Sequence, residues 1–411
     1  MRSTLLTTAA FAALASVAAS QTQPTLVGVT GTTPYLFRQD MSSCQVRACP
    51  IQLGPAALPA GGTAYDARIG AVWASNGPLT GAYRVTDCTV VCPPKPLPLI
   101  TPVIVVVTGL AVHEARQLLF AADTLNQIHV FDIRVACQPR HVSSCRVPNL
   151  PAGAQIGGLA VSDVQDLLFY SVSAASGAAG NQVFVAPVAS PCAPLCKFDL
   201  PACGTAPLGP VTGLAFDDCK TALWATDGGR TLGMLWSRTA CSVQPFQCCP
   251  IITTIQERLV GLCIVPSLAT GTGRNCTDGA CPACPSMSHE TLGDAALGNA
   301  SFALELRNAP ANAQTVLVVG GGPCLAAGLP VPPFCGPLLV PLMPVAPIVV
   351  GPLATGGVGP CDGKASVNLP IPLNPAFCGV TLASQYFVVC RSAVGIGTGV
   401  TNCLSWTITA D

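Results

Sequence analysis

Four stretches of the chain share one order of apolar and polar positions. Each opens on a glycine and two or three apolar residues, turns through polar or acidic residues, resumes as an apolar strand, turns again and ends in a third strand. They read GTAYDARIGAVWASNGPLTGAYRV from Gly62, GLAVHEARQLLFAADTLNQIHVFDI from Gly109, GLAVSDVQDLLFYSVSAASGAAGNQVFVAPV from Gly158 and GLAFDDCKTALWATDGGRTLGMLWSR from Gly213. Short apolar runs bounded by turn residues predict strands. A fifth copy, GLCIVP, starts at Gly261 and stops. The five glycines lie 47, 49, 55 and 48 residues apart, near the roughly 40–50 residues of a four-stranded propeller blade. Ahead of the first copy, LVGVTGTTPYLFRQDM (residues 26–41) matches the second and third strands but lacks the first, which GLCIVP at the far end supplies. A ring closed by strands from both ends of the chain leaves no open sheet edge. The expectation is a five-bladed β-propeller over residues 21–268.

From residue 266 the pattern lapses into TGTGRNCTDGACPACPSMSHETLG, whose Gly, Pro, Ser and Cys mark a linker over residues 269–292. Beyond it, apolar runs at 301–306, 315–319, 338–350, 365–371, 385–389 and 403–408 alternate with Gly, Pro and Asn turns. They predict a small antiparallel β-sandwich domain over residues 293–411, making the chain all-β.

Composition strengthens this reading. Charged residues are 9% of the chain, against about 25% in ordinary globular domains, and there are 40 Gly and 39 Pro. A helical protein would need more charged, straight-chain surface residues. Zero formal net charge removes the long-range attraction that nucleic-acid and anionic-membrane binders use. At the N-terminus Arg2, an apolar stretch over residues 5–17 and Ala18, Ala19 and Ser20 ahead of Gln21 have the layout of a secretory signal over residues 1–20. The apolar runs 97–112 and 338–350 fall short of the roughly 20 residues of a membrane span and are broken by proline, so they read as buried strands and not as a transmembrane segment. A charge-poor exterior favours self-association or contact with a cell envelope.

The 23 cysteines, in a chain with an export signal, read as disulfides. Their odd number leaves one thiol free or paired between chains. Clusters recur at the end of each repeat: Cys44 and Cys49; Cys88 and Cys92; Cys137 and Cys145; Cys192, Cys196 and Cys203; Cys241, Cys248 and Cys249. A recurring pair around the outermost strand would staple each blade's own rim. Zinc would need ligands from two clusters to meet, and equivalent points on neighbouring blades lie too far apart. The linker set Cys276, Cys281, Cys284 and His289 is the best metal candidate, with disulfides favoured by export. Cys324, Cys335, Cys361, Cys378, Cys390 and Cys403 could form three bridges inside the C-terminal domain.

The text GLAVHEARQLLFAADTLNQIHVFD (residues 109–132) resembles repeats of the NHL and YVTN type, which implies a propeller over residues 24–268 and little about activity. The segments LGNASFALELRNAPANAQTVLVVGG, GLPVPP and NLPIPLNPAFCGVTLASQYFVV resemble a C-terminal module of uncharacterised secreted proteins of planctomycetes and related bacteria. That likeness implies a bacterial, exported, surface-linked protein and transfers no active site.

The candidate chemical motifs read as structural. His113-Glu114 and His289-Glu290 begin H-E-x-x-H motifs, but Gln117 and Gly293 stand where the second histidine belongs, so both read as surface turns. Asp66, Asp163 and Asp217-Asp218 sit at the first turn of successive repeats, and Asn76, Asp123 and Asp227 at the second. Recurrence at one position points to capping of turn backbones ahead of a glycosidase's paired carboxylates. Gly320-Gly321-Gly322 lacks the Lys-Ser/Thr of a phosphate loop, and Gly363-Lys364 lacks the earlier glycine. Asn275-Cys276-Thr277 and Asn299-Ala300-Ser301 fit the glycosylation pattern. Trp73, Phe120, Tyr170 and Trp224 read as one buried layer. No catalytic, cofactor-binding or metal residue is assigned. The functional expectation is a non-enzymatic, exported cell-surface or extracellular binding or scaffold protein, with a cell-envelope component, glycan or protein as partner and no nucleic acid. The alternatives are a propeller-type hydrolase of glycans or lactones, with carboxylates on the central channel, and a lectin.

Overall fold

The computed structural model describes residues 25–30, 35–41, 44–51, 60–98, 106–174, 181–251, 259–265, 269–342, 346–392 and 395–409. The expected signal segment, residues 1–20, lies outside them. The chain divides into two units, Gln23–Val265 and Pro266–Thr409.

The first unit contains, among the described residues, five four-stranded antiparallel sheets. Sheet 1 orders Leu259–Val265, Thr25–Thr30, Tyr35–Asp40 and Gln45–Pro50; sheet 2 orders Ala60–Asp66, Ala71–Asn76, Leu79–Arg84 and Val90–Pro96. Sheet 3 is Val107–His113, Leu118–Asp123, Gln127–Asp132 and Arg140–Arg146; sheet 4 is Ala154–Ser162, Leu167–Ala174, Gln182–Pro187 and Cys196–Asp199. Gly213–Asp217, Ala222–Thr226, Arg230–Ser237 and Ser242–Pro250 make sheet 5. The first strand of each sheet packs against that of the next, and that of sheet 5 against that of sheet 1. This is a propeller arrangement. Its two ends join where Thr25 pairs with Val265 and Leu26 with Ile264, so the strand missing from the N-terminal half-repeat comes from residues 259–265.

The repeat glycine is dictated at the axis. A Cβ placed on Gly62 would come within 2.1 Å of the Leu110 nitrogen and 2.4 Å of the Gly109 carbonyl carbon; one on Gly109 would meet the Leu159 nitrogen at 3.0 Å. Gly158 faces Leu214 at 2.7 Å, Gly213 faces Gly261 at 2.4 Å, and Gly261 faces Thr63 at 2.5 Å. Each glycine thus packs on the next around a closed circle, and a side chain would push first strands apart.

Between consecutive sheets lie apolar layers that bury the alternating strand residues. Trp73, Leu119 and Phe131 fill the space between sheets 2 and 3, Phe120 and Tyr170 that between 3 and 4, and Leu26, Trp224 and Leu262 that between 5 and 1. Phe169 stacks on Phe216 at 4.8 Å between sheets 4 and 5. The register refines the aromatic layer: Trp73, Phe120 and Trp224 stand opposite Ala64, Ala111 and Ala215, and the residue opposite Ala160 is Phe169, with Tyr170 one place on.

Disulfides join neighbouring sheets. Cys49 pairs with Cys88, Cys92 with Cys137, Cys145 with Cys192 and Cys196 with Cys241, each linking the outer strand of one sheet to the turn before, or the start of, the outer strand of the next. Cys249 of sheet 5 pairs with Cys44 of sheet 1, completing the circuit. Cys203–Cys248 adds a second link between the end of sheet 4 and sheet 5. The expected staple within each blade's own rim is therefore corrected. The two cysteines of a cluster flank one strand, and alternation with the turn carries one toward each neighbour. Four of the turn cysteines, Cys44, Cys88, Cys137 and Cys241, adopt left-handed backbone with φ between 46° and 60°. The odd thiol is Cys263, free and buried in the first strand of sheet 1.

In the second unit a seven-stranded sheet orders Thr270–Thr272, Cys403–Thr407, Thr381–Ser392, Gln314–Gly321 and Ile348–Ala354, with Gly395–Val400 also on the long central strand and Cys276–Asp278 on Gly395–Val400. Ser288–Leu292, Ala303–Ala309 and Gly363–Asn368 form a three-stranded sheet. The Tyr386 hydroxyl donates to Leu304 O at 2.8 Å across the two sheets, and Phe302 packs on Trp406 with centroids 4.9 Å apart. Two expectations change here. The stretch 269–292 is no bare linker: it supplies three strands, fixed by Cys276–Cys335, Cys281–Cys390 and Cys284–Cys361. Consequently, of the six later cysteines only Cys324 and Cys403 pair with each other, while Cys335, Cys361 and Cys390 reach back and Cys378 is bonded as well. The run 338–350 is not one buried strand; Ile348–Ala354 is a strand with Val349 62% exposed, and residues 343–345 lie outside the described ones.

Candidate functional site

A propeller offers two natural places for chemistry, its central channel and the turns at the channel's ends. Three residues from each first strand, 63–65, 110–112, 159–161, 214–216 and 262–264, line a cavity of about 40 Å³ on the axis. That holds a few water molecules and is far below the roughly 300–1,000 Å³ of ligand pockets. Its walls are apolar apart from groups such as the Thr63 hydroxyl, which donates to Val27 O at 3.4 Å, and the Cys263 thiol, which burial pushes up to about 12. No carboxylate lines it.

The acids of the first turns stand beyond the cavity, and three of them, Glu114, Asp163 and Asp218, each reach the preceding sheet. Asp218 Oδ2 accepts hydrogen bonds from the backbone of Asp163 at 2.7 Å and Val164 at 3.3 Å, and its Oδ1 accepts the Ser162 hydroxyl. Asp163 Oδ2 accepts from Glu114 N at 3.1 Å, and Glu114 Oε1 from Ala67 N at 2.5 Å. Asp66, at the end of this stair, accepts from Trp73 Nε1 at 3.2 Å and pairs with Arg68 at 3.3 Å. All four carboxylates are buried. Burial lifts Asp218 to about 7, and the proximity of Asp163 adds to the rise; burial and then the charge of Asp66 raise Glu114 well above the usual range. Burial opposes the charge on His113, but its contacts with Asp163 and, at 3.1 Å, Asp166 hold its pKa above the ordinary value.

Glu114, Asp163 and Asp218 cap backbone N–H groups of neighbouring turns, which is the structural reading of acids recurring there. The same holds at the second turns, where Asp123 Oδ1 accepts from Leu125 N and Gln127 N at 2.8 Å, and Asp227 Oδ1 from Gly229 N at 3.0 Å and Arg230 N at 2.7 Å. His113-Glu114 do form a turn, but a buried one; the expectation of a surface turn fails because both side chains serve inter-sheet contacts. His289 is not in a surface turn either. It lies buried on Ser288–Leu292 against the Tyr386 ring, its Nε2 3.3 Å from Ser384 Oγ, and burial lowers it to about 4.

The linker cysteines are spread among three disulfides, so they and His289 do not converge on one point. Gly320 packs against the backbone of Pro341, leaving no phosphate cradle there. Asn275 and Asn299 use their side chains internally, on Met287 O and Asn402 N and on Asp294 O and Ser301 N. Trp73, Phe120, Phe169, Tyr170 and Trp224 are buried, which denies a sugar ring an aromatic face in those layers. What the sequence reading passed over is a pair 15 residues apart, His129 and Ser144, which strand pairing places side by side. No spacing rule marks such a pair, because hydrolase constellations assemble in space and not in sequence.

No family model matches the chain, and no curated protein matches it. Among solved structures it is similar to a chain of a nidogen/laminin complex, at 14% identity and a TM-score of 0.38, covering 59% of this chain and 98% of that one. A second is the Cps50 (Swd1) β-propeller domain of Myceliophteria thermophila, at 12% identity and a TM-score of 0.33, covering 58% and 71%. A protein from Lactobacillus plantarum covers 94% and 97% at 12% identity and a TM-score of 0.33. Likeness at this level carries no argument about function, and the architecture rests on the strand order itself.

Proposed function

We propose that this chain is an exported extracellular or cell-surface scaffold. In this reading the five sheets are the five blades of one propeller, locked blade to blade by disulfides, and the second unit is a β-sandwich that assembles or anchors it to an envelope component, glycan or protein partner. The observation that carries the reading is the circuit of bridges from Cys49–Cys88 round to Cys249–Cys44. Such a circuit forms and persists in an oxidising compartment, and it holds the ring rigid where burial is least. The reading gives the channel a structural part, supported by its largely apolar lining and by Glu114, Asp163 and Asp218 being committed to backbone. Among the described residues no helix is long and apolar enough to cross a membrane. Fractionation of the source cells, with thiol alkylation before lysis, tests the proposal. The expected result is protein outside the cytosol with its cysteines protected; a cytosolic pool with alkylated cysteines would overturn it.

A further inference from the structure

On sheet 3 three side chains form a line. Asp123 Oδ2 lies 3.0 Å from His129 Nε2, and His129 Nδ1 lies 2.7 Å from Ser144 Oγ. His141 Nε2 approaches the same Oγ at 2.7 Å. Asp123 and His129 are buried, and Ser144 is exposed on the outer strand. Chemistry fixes the direction of the hydrogen bonds. A carboxylate accepts, so His129 carries its proton on Nε2, and Nδ1 is left to accept the Ser144 proton. The second histidine then donates Nε2–H to Oγ.

Strand register builds this cluster. His129 pairs with Ser144, and a bulge places Val142 outside the ladder, so that His141 pairs with Phe131 and faces the same side as His129 and Ser144. Bulges re-aim side chains in this way. Nothing in the repeat demands polar groups there. The pair next to the bridging cysteine is His129 with Ser144 in sheet 3, but Phe37 with Ala48 in sheet 1 and Leu232 with Cys248 in sheet 5. The turn caps of Asp123 need only its Oδ1, and Oδ2 is spent on His129.

We propose that Ser144 is an activated nucleophile for acyl transfer, with His129 as its base, Asp123 as the positioning residue and small, unhindered acyl esters as the substrate class. Ser144 Oγ bonds to the ester carbonyl carbon while its proton passes to His129 Nδ1. The proton then goes to the alcohol oxygen as the bond between that oxygen and the carbonyl carbon breaks. Water, deprotonated by the same nitrogen, hydrolyses the acyl-serine to a carboxylic acid and restores Ser144. Because Ser144 is exposed on an outer strand, short acyl groups with good leaving alcohols fit best. This goes beyond the scaffold reading and stands or falls apart from it.

The test is labelling of the whole oxidised chain with a fluorophosphonate, sites read by peptide mass spectrometry, beside release of p-nitrophenol from p-nitrophenyl acetate. Ser144 is expected to label at least about tenfold faster than the adjacent Ser143, with the burst of p-nitrophenol lost in Ser144→Ala. His129→Gln should slow labelling about tenfold or more. Asp123→Asn, which keeps an oxygen for the turn caps, should slow it too, and Asp123→Glu should restore part of the rate. Equal labelling of Ser143 and Ser144, or an unchanged rate in whichever of the His129 and Asp123 variants keeps the native disulfide map, would overturn the proposal.

Discussion

The two units use the same covalent device in opposite ways. In the propeller the bridges span 39 to 47 residues between consecutive sheets, repeat with the repeat, and are closed by one bridge spanning 205. In the second unit they span 59 to 109 residues, follow no repeat, and pull the segment 276–284 onto later parts of the unit. The polar interiors differ likewise. The propeller buries a stair of carboxylates that bond to backbone, whereas the second unit buries His289, Ser384, Tyr386 and Trp406 around one another. A ring of identical tasks is solved by repetition, and a single irregular core by unique contacts.

The sharpest way to break this contrast is at the axis. Gly213→Ala puts a methyl 2.4 Å from the Gly261 carbonyl carbon, in a place where backbone and not a flexible side chain must yield. Overpacking of that kind is expected to cost about 3 kcal/mol or more, unfolding the propeller while the second unit keeps its own thermal transition in calorimetry. Next in size is the closing bridge. Replacing Cys44 and Cys249 together by serine opens the closing bridge of a ring already cross-linked elsewhere and is expected to cost about 2 kcal/mol in denaturant titration; no change would mean that strand pairing alone closes the ring.

The two units also respond to pH in opposite directions. Asp218 and Glu114 are raised in the folded state, so the stability they allow is present at low pH and is lost as pH rises through their folded values, which for Asp218 means from about 4 to about 7. His289, lowered to about 4, acts in reverse: its contribution is full above about 6.5 and is lost as pH falls toward about 4. Asp218→Asn should therefore flatten the propeller's loss of melting temperature between about pH 4 and about pH 7 on the order of a few degrees, leaving the second unit's profile alone. The smallest effect belongs to the exposed pair of Glu290 with Arg307 at 3.8 Å. Glu290→Gln should shift stability by less than about 0.5 kcal/mol in urea, in contrast to its namesake position Glu114.

Much of the ring was legible because its chemistry is local and repeated. Gly62, Gly109, Gly158, Gly213 and Gly261 announce themselves by spacing, and the half-repeats at residues 26–41 and 259–265 complement each other in plain text. The cysteine pairing was not legible, since Cys88 and Cys92 look equally able to join each other or two different neighbours, and only the direction of the turn decides. The segment 269–292 read as linker because its strands are short and its Gly, Pro and Cys are turn residues, while the bridges that fix it lie up to 109 residues away. Asp123, His129 and Ser144 were hidden for a related reason: their meeting depends on a strand register and a bulge, which leave no periodic trace.

The bridges close the propeller covalently from sheet to sheet. Peptide mapping of the unreduced protein by mass spectrometry measures this closure directly. The linked pairs expected are Cys49–Cys88, Cys92–Cys137, Cys145–Cys192, Cys196–Cys241 and Cys44–Cys249. Recovery of Cys44 linked to Cys49, Cys88 to Cys92 or Cys137 to Cys145 would contradict it.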